Sequence, residues 1–274
     1  MSSAESTTTT MKSRISPRFL SSLYTSLSSP STPTTLSTTS HNSPTRQWHL
    51  HRILRSDNPA DINGELNGTA TFHPLHHTPS EDDATAYRQM VYKEEGEMPS
   101  SVMGMAGLRW TKKYIWRLNG AASTDQKQQE QQDDNSNPEM GGISVWFVKI
   151  KSSKEKAETG DQDEPDYLFH EFDFNYRQKQ QDSSETAGAT TDATKPKFEP
   201  PTPPPLILPD LKEKYPETTV MQATGDHLCV KDMYYTAYSF RVVPETGEVL
   251  SWASRHVVKG PKKNQDILNL YSIQ

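Results

Sequence analysis

Between residues 47 and 273 apolar and polar side chains alternate with period two in ten runs: Gln47–Arg55, Glu65–His73, Ala86–Glu97, Leu108–Leu118, Ile143–Ile150, Tyr167–Asn175, Thr218–Leu228, Met233–Val243, Val249–Lys259 and Gln265–Ile273. Successive side chains of an extended chain point to opposite faces, so each run predicts a strand with one apolar face. No helical stretch of useful length lies between them. The connections are short or polar, so neighbouring strands should pair antiparallel. Ten strands with no helix to cover a face need closure or a second sheet. The expected fold is therefore all-β: a single antiparallel up-and-down β-barrel of about ten strands enclosing a cavity. A β-sandwich is the alternative.

The alternation also assigns side chains to the interior. In the fourth run Leu108, Trp110, Lys112, Tyr114, Trp116 and Leu118 share the inner face. In the sixth the inner set is Leu168, His170, Phe172 and Phe174, because Glu171 and Asp173 must face out. Trp48, Leu50, Arg52 and Leu54 share a face, as do Arg88, Met90, Tyr92 and Glu94, and Asp232, Tyr234, Thr236, Tyr238 and Phe240. Ions thus lie among aromatics, and an ion in an apolar interior needs a partner, a rim position or a ligand. A turn centred near Met103 would set Glu94 opposite Lys112, Tyr92 opposite Tyr114 and Met90 opposite Trp116. Opposite charges across a ladder attract.

Outside the strands the composition changes. Residues 1–45 are Ser/Thr-rich, with Lys12, Arg14 and Arg18 as bases and Glu5 as the acid. This reads as a disordered tail unable to build a packed core, or as a transit-like segment. The latter rests on Ile15, Phe19, Leu20, Leu23, Tyr24 and Leu27 recurring at helix-compatible intervals in an acid-free stretch. The β-barrel domain is expected over 46–274, with low-complexity insertions at 119–142, 151–166 and 177–214 that read as long disordered loops. The proline cluster at 200–205 should be polyproline II, a stiff spacer rather than a ligand for an SH3- or WW-type partner.

Several function classes are excluded by composition. Hydrophobic residues are 32% of the 274, with 20 prolines, and roughly 160–170 residues look able to form a core. No apolar run approaches the ~20 residues of a membrane-spanning helix. The single cysteine, Cys229, rules out an intramolecular disulfide framework. A net charge of −6 argues against nucleic acid as a partner. Phosphate-loop, dinucleotide, zinc-protease and nucleophile-elbow motifs are absent from the sequence. His73, His76 and His77 sit beside Pro74 and Pro79 as loop residues, so no metal site is expected.

The order of short motifs carries a resemblance. It runs Trp48-His-Leu-His-Arg52-Ile53, Gly64-x3-Gly68-x3-Phe72, Tyr92-Lys-Glu94-Glu-Gly96-Glu97, Tyr114-Ile-Trp116 and Ile143-Ser-Val145-Trp-Phe147. It continues through Leu168-Phe169-His170-Glu-Phe172 and His227-Leu-Cys229-x2-Asp232-Met-Tyr234-x3-Tyr238-Ser-Phe240. The last part is Trp252, Val258-Lys-Gly260-Pro261-Lys-Lys263-Asn264, Ile267 and Tyr271. This order resembles the domain-of-unknown-function family numbered 6314, found in bacteria and fungi, over roughly residues 46–274. The resemblance implies a calycin-like barrel and brings no activity or catalytic residues. The long insertions look like a fungal elaboration.

The residues therefore have to speak for themselves. They suit a barrel that binds a small apolar or aromatic ligand with an acidic or carbonyl group. Lys112, Arg52 and His170 would meet the polar end, and Tyr114, Trp116, Phe172 and Tyr238 would hold the body. Tyr92, Glu94, Tyr234 and Trp252 complete the expected ligand-binding set. Two alternatives stand beside it. One is a cofactor-free isomerase, lyase or hydrolase with Glu94 or His170 as acid or base and Lys112 stabilising negative charge. The other is a scaffold acting through its long loops. No cofactor is expected; haem, with His170 as axial ligand, is a lesser variant. The expected compartment is the cytoplasm, with mitochondria as the alternative.

Overall fold

The structure, a computed structural model, describes residues 15–29, 45–59, 61–75, 87–99, 107–119, 142–174, 204–261 and 263–273. Ten strands form one antiparallel sheet: β1 (Gln47–Ser56), β2 (Gly64–Leu75), β3 (Arg88–Glu97), β4 (Arg109–Leu118), β5 (Ile143–Val148), β6 (Pro165–Glu171), β7 (Thr219–Cys229), β8 (Asp232–Val242), β9 (Val249–Lys259) and β10 (Asn264–Ser272). All ten alternating runs are strands. Their order across the sheet is β6-β5-β4-β3-β2-β1-β10-β9-β8-β7, so every strand except at the β6/β7 seam pairs with its sequence neighbours, and β1 pairs with β10. This is an up-and-down barrel, and the sandwich alternative is set aside.

The seam closes locally. After β6 the chain bridges to β7 through Asp173 N–H to the Thr224 carbonyl at 2.7 Å and the reciprocal bond at 3.0 Å. Close approach requires Gly225: a Cβ there would lie 2.5 Å from His170 Cδ2. The inner Gly68 and Gly96 pair across β2 and β3. A Cβ on either would meet the Trp110 ring at 3.0 and 2.7 Å respectively, so the two glycines make room for that indole.

One end of the barrel is sealed by a helix that the composition conceals. Helix α1 (Pro17–Ser26) starts with Ser16 capping the Phe19 N–H at 3.2 Å and Pro17 in the first turn. A ten-residue helix is marginal alone. Here Leu20, Leu23, Tyr24 and Leu27 are buried in the same core as Trp48, Trp116, Leu118, Ile143, Phe240, Val242 and Val249. Each fully buried leucine is worth about 1.5–3 kcal/mol. The Trp48 indole donates to the Leu27 carbonyl at 2.9 Å, and Val249 N–H donates to Ser26 Oγ at 3.0 Å. Residues 15–29 are thus part of the packed domain rather than of a disordered tail. Their helical spacing has a structural cause, and a cut between 30 and 45 would remove the base of the barrel. Residues 1–14 and 30–44 of that expected tail lie outside the described residues.

The insertions divide similarly. Residues 151–166 are ordered, correcting the expectation of a disordered loop. Helix α2 (Ser153–Thr159) carries a capping box of Ser152 and Glu155, and Lys113 reaches Asp163 at 2.8 Å. Of 177–214, residues 204–214 are described. The Pro205 carbonyl accepts from Ser251 Oγ at 2.5 Å, and helix α3 (Pro209–Lys214) follows. Residues 120–141 and 177–203 lie outside the described set.

Candidate functional site

With the base closed by α1, the inner side chains of the other half of the barrel line a cavity of about 270 Å³. Period-two alternation delivers them in rungs. The β3/β4 register sets Tyr92 opposite Tyr114, Glu94 opposite Lys112 and Met90 opposite Trp116, as the sequence predicts. The β9/β10 register adds Trp252 opposite Tyr271 and Ser254 opposite Asn269.

The polar wall is a connected network. Arg52 donates to Glu94 through Nη2 at 2.5 Å and to Asn269 Oδ1 through Nε at 2.6 Å. Asn269 in turn donates to Ser254 Oγ at 2.9 Å. The hydroxyls of Tyr92 and Tyr271 both contact Glu94 Oε1, the latter at 2.8 Å, and lie 2.6 Å from each other. Glu94 is 2% exposed and Arg52 7%. Burial alone would raise the Glu94 carboxyl, but the Arg52 and Lys112 charges and the Tyr92 hydrogen bond hold it below the usual carboxylate range. Burial works against the charge on Arg52 as well, and Glu94 outweighs it, so the guanidinium stays fully charged. It also lies 5.2 Å from the centroid of the Trp110 ring. A carboxylate accepting from three side chains and paired with a buried cation is a structural anion and a poor base.

The rest of the wall is aromatic. Tyr114 stacks on Phe169 at 5.8 Å, and Trp252 stacks on Tyr271 at 3.5 Å with planes 4° apart. The buried Trp252 N–H has no acceptor. Lys112 also lines the cavity, exposed to solvent, with Nζ 5.3 Å from the Tyr114 ring centroid. His256 is the imidazole of the lining, its Nδ1 3.1 Å from Thr236 Oγ1. Burial pushes it well below the ordinary histidine value, and the positive charges of Lys112 and Arg52 add to this, so it is neutral.

Of the residues expected from sequence, Arg52, Tyr92, Glu94, Lys112, Tyr114, Trp116, Tyr234, Tyr238 and Trp252 line this one cavity. His170 and Phe172 do not. His170 does face inward, but it is packed between Phe169 and Phe172 with Nε2 on the Tyr238 hydroxyl at 3.0 Å. Burial, reinforced by His227, pushes it down to about 3. The β5/β6 ladder slips between Val145 and Trp146 and again before Val148, so strict alternation fails in β6: His170 and Phe172 are buried as expected, but Leu168 is exposed and Phe169 lines the cavity in its place. The polar residues missed include Ser254, His256, Asn269 and Tyr271, on β9 and β10, whose inner faces the sequence marks through Trp252 and Ile267; the aromatic Phe169 was missed as well.

Among the described residues no group of three His, Cys, Asp or Glu side chains could hold a metal ion, and no helix is long and apolar enough to cross a membrane. His73 Nε2 lies 2.9 Å from Thr71 Oγ1; His76 and His77 are outside the described residues. A family model described as "Family of unknown function (DUF6314)" matches residues 45–190 and 210–273, which cover the barrel and leave out α1. No curated protein and no solved structure matches.

Proposed function

For a chain that belongs to this family of unknown function, DUF6314, we propose a binding role: the barrel holds a small, planar, mostly apolar ligand that carries a negative charge or a carbonyl group. The observation that carries this reading is the cavity of about 270 Å³. An apolar void of about 150 Å³ takes a benzene ring, and drug-sized sites start near ~300 Å³. One or two fused rings with a polar substituent fit that range. The charge balance gives the sign. Arg52 and Glu94 cancel, and Lys112 is left over among the lining residues. An anionic ligand meets that need.

The cofactor-free enzyme is less well supported with Glu94 or His170 as its acid or base. Glu94 is occupied by three donors, and His170 does not line the cavity. That second fact also weakens a haem held by His170.

The test is a titration of the purified protein with 2-naphthol, followed by the fluorescence of the cavity tryptophans. Saturable quenching that is lost on Val145→Trp, a substitution that fills the cavity, supports the reading. Saturable quenching that survives this filling would place the binding elsewhere and sink it. So would the absence of any saturable change at millimolar probe.

A further inference from the structure

We infer that His256 and Lys112 together form a proton-coupled receptor for the anionic group of the ligand, so that one anion binds together with part of a proton. This rests on the binding role proposed above and adds a regulation to it.

Both side chains belong to the lining of the same cavity, Lys112 from β4 and His256 from β9. His256 is held by a second group: Thr236, its direct cross-strand partner on β8, places Oγ1 3.1 Å from Nδ1. A hydroxyl can either donate to a ring nitrogen or accept from it, so this contact survives a change of protonation state by rotation of one hydrogen.

The groups around His256 explain its empty-state charge. Lys112 on β4 and Arg52 on β1 are cations; His170 on β6 is a buried neutral imidazole; Tyr234 and Tyr238 on β8 are phenols. On β10 the neighbours are Ile267, paired directly with His256, and the uncharged Gln265 and Asn269. Tyr271 and Glu94 are bound to one another, and Glu94 is neutralised by Arg52. Apart from that compensated carboxylate, the ionised groups that line the cavity are positive. Burial and these cations hold His256 neutral.

An anion entering this space reverses the sign of the field. It compensates Lys112, removes one cause of the suppression and offers an imidazolium a counter-ion at short range. The affinity of His256 for a proton must then rise on binding, and by linkage the affinity for the anion must rise as pH falls. No other lining residue can take up this proton near neutral pH: Glu94 is held as a carboxylate below the usual range, and lysine, arginine and tyrosine titrate far above it.

The experiment is isothermal titration calorimetry with 2-naphthalenesulfonate, whose sulfonate stays ionised throughout, in phosphate and in Tris at pH 6 to 8. The buffer dependence of the heat counts protons taken up. The expected result is fractional uptake that grows toward pH 6, with affinity about tenfold tighter at pH 6 than at pH 8. His256→Gln, checked for folding by circular dichroism and melting, should still bind the sulfonate but with uptake near zero and no pH dependence. Lys112→Met should weaken the sulfonate about tenfold or more while leaving 2-naphthol unaffected. Binding without uptake in the unmodified protein overturns the inference, as does uptake that persists in His256→Gln. If 2-naphthol binds and the sulfonate does not, the inference fails and the binding role stands. If neither binds, both fail.

Discussion

Tyr24, on the N-terminal helix, donates its phenolic proton to the backbone carbonyl of Trp116, in the barrel wall, over 2.7 Å. Both groups are buried, so this bond ties α1 to the strand that also supplies Lys112 and Tyr114 to the cavity. Burial pushes the Tyr24 phenol far up, and it stays a donor at any physiological pH. Tyr24→Phe should cost about 1–1.5 kcal/mol, and Leu23→Ala, which empties a fully buried site, about 2–5 kcal/mol. Urea unfolding of the two variants checks this. A protein lacking residues 1–29 that keeps full stability would show the helix to be dispensable.

Breaking the buried pair should be more costly than deleting it. Glu94→Gln leaves the Arg52 charge without its partner and is expected to destabilise by about 3–5 kcal/mol. Replacing both, as Glu94→Gln with Arg52→Met, should recover a substantial part of that loss. A double-mutant cycle on unfolding free energy measures the coupling.

The pH profile should carry three buried groups: His170, His256, whose depressed value adds a loss of the same sign below 6.5, and Glu94. His170 is held down to about 3, so between 6.5 and 3 the unfolded chain binds a proton that the folded chain refuses. Stability therefore falls as pH drops through that window. Glu94 is also depressed: its contribution is complete above the unfolded carboxyl value, near 4.5, and is lost only as pH falls through the lower folded value. Melting curves of His170→Phe should thus be flatter than those of the unmodified protein between pH 6.5 and 5, where Glu94 contributes little.

At the seam, Gly225→Ala would bring a methyl group to 2.5 Å from His170 Cδ2 and 2.8 Å from the Glu171 carbonyl. β6 must move off β7, at an expected cost of about 1–3 kcal/mol. Hydrogen exchange should show faster amide exchange at Asp173 and Thr224 in the variant.

The β7–β8 turn predicts a gain instead. Val230 is 90% exposed and has φ of +57°, a conformation that costs an L-residue roughly 1–2 kcal/mol. Val230→Gly removes that strain and loses about 0.5–1 kcal/mol to backbone entropy, so a net gain of up to about 1.5 kcal/mol is expected, read as a rise in melting temperature.

The strands were legible because alternation is a property of the sequence itself. The β3/β4 register was legible too, because a single hairpin turn fixes it and Glu94–Lys112 and Tyr92–Tyr114 then follow. Depth was not. His170 and Tyr238 share the interior, but only Tyr238 lines the cavity, because the irregular β5/β6 pairing sets where along the wall each inward side chain lands. His256 lacked a signal of its own; it sits among Ser254 and Val258 in a strand whose inner face is announced by Trp252 alone. Helix α1 was hidden for another reason. Its Ser/Thr-rich surroundings suggest solvent, and its stability comes from leucines buried against residues far along the chain, which local composition cannot report.

In synthesis the plug helix precedes the wall it docks against, which is finished only when Val249 has been made, 223 residues after its partner Ser26. Until then an amphipathic segment with Leu20, Leu23 and Leu27 has no native surface to cover. Its docking converts an open cylinder into a cup.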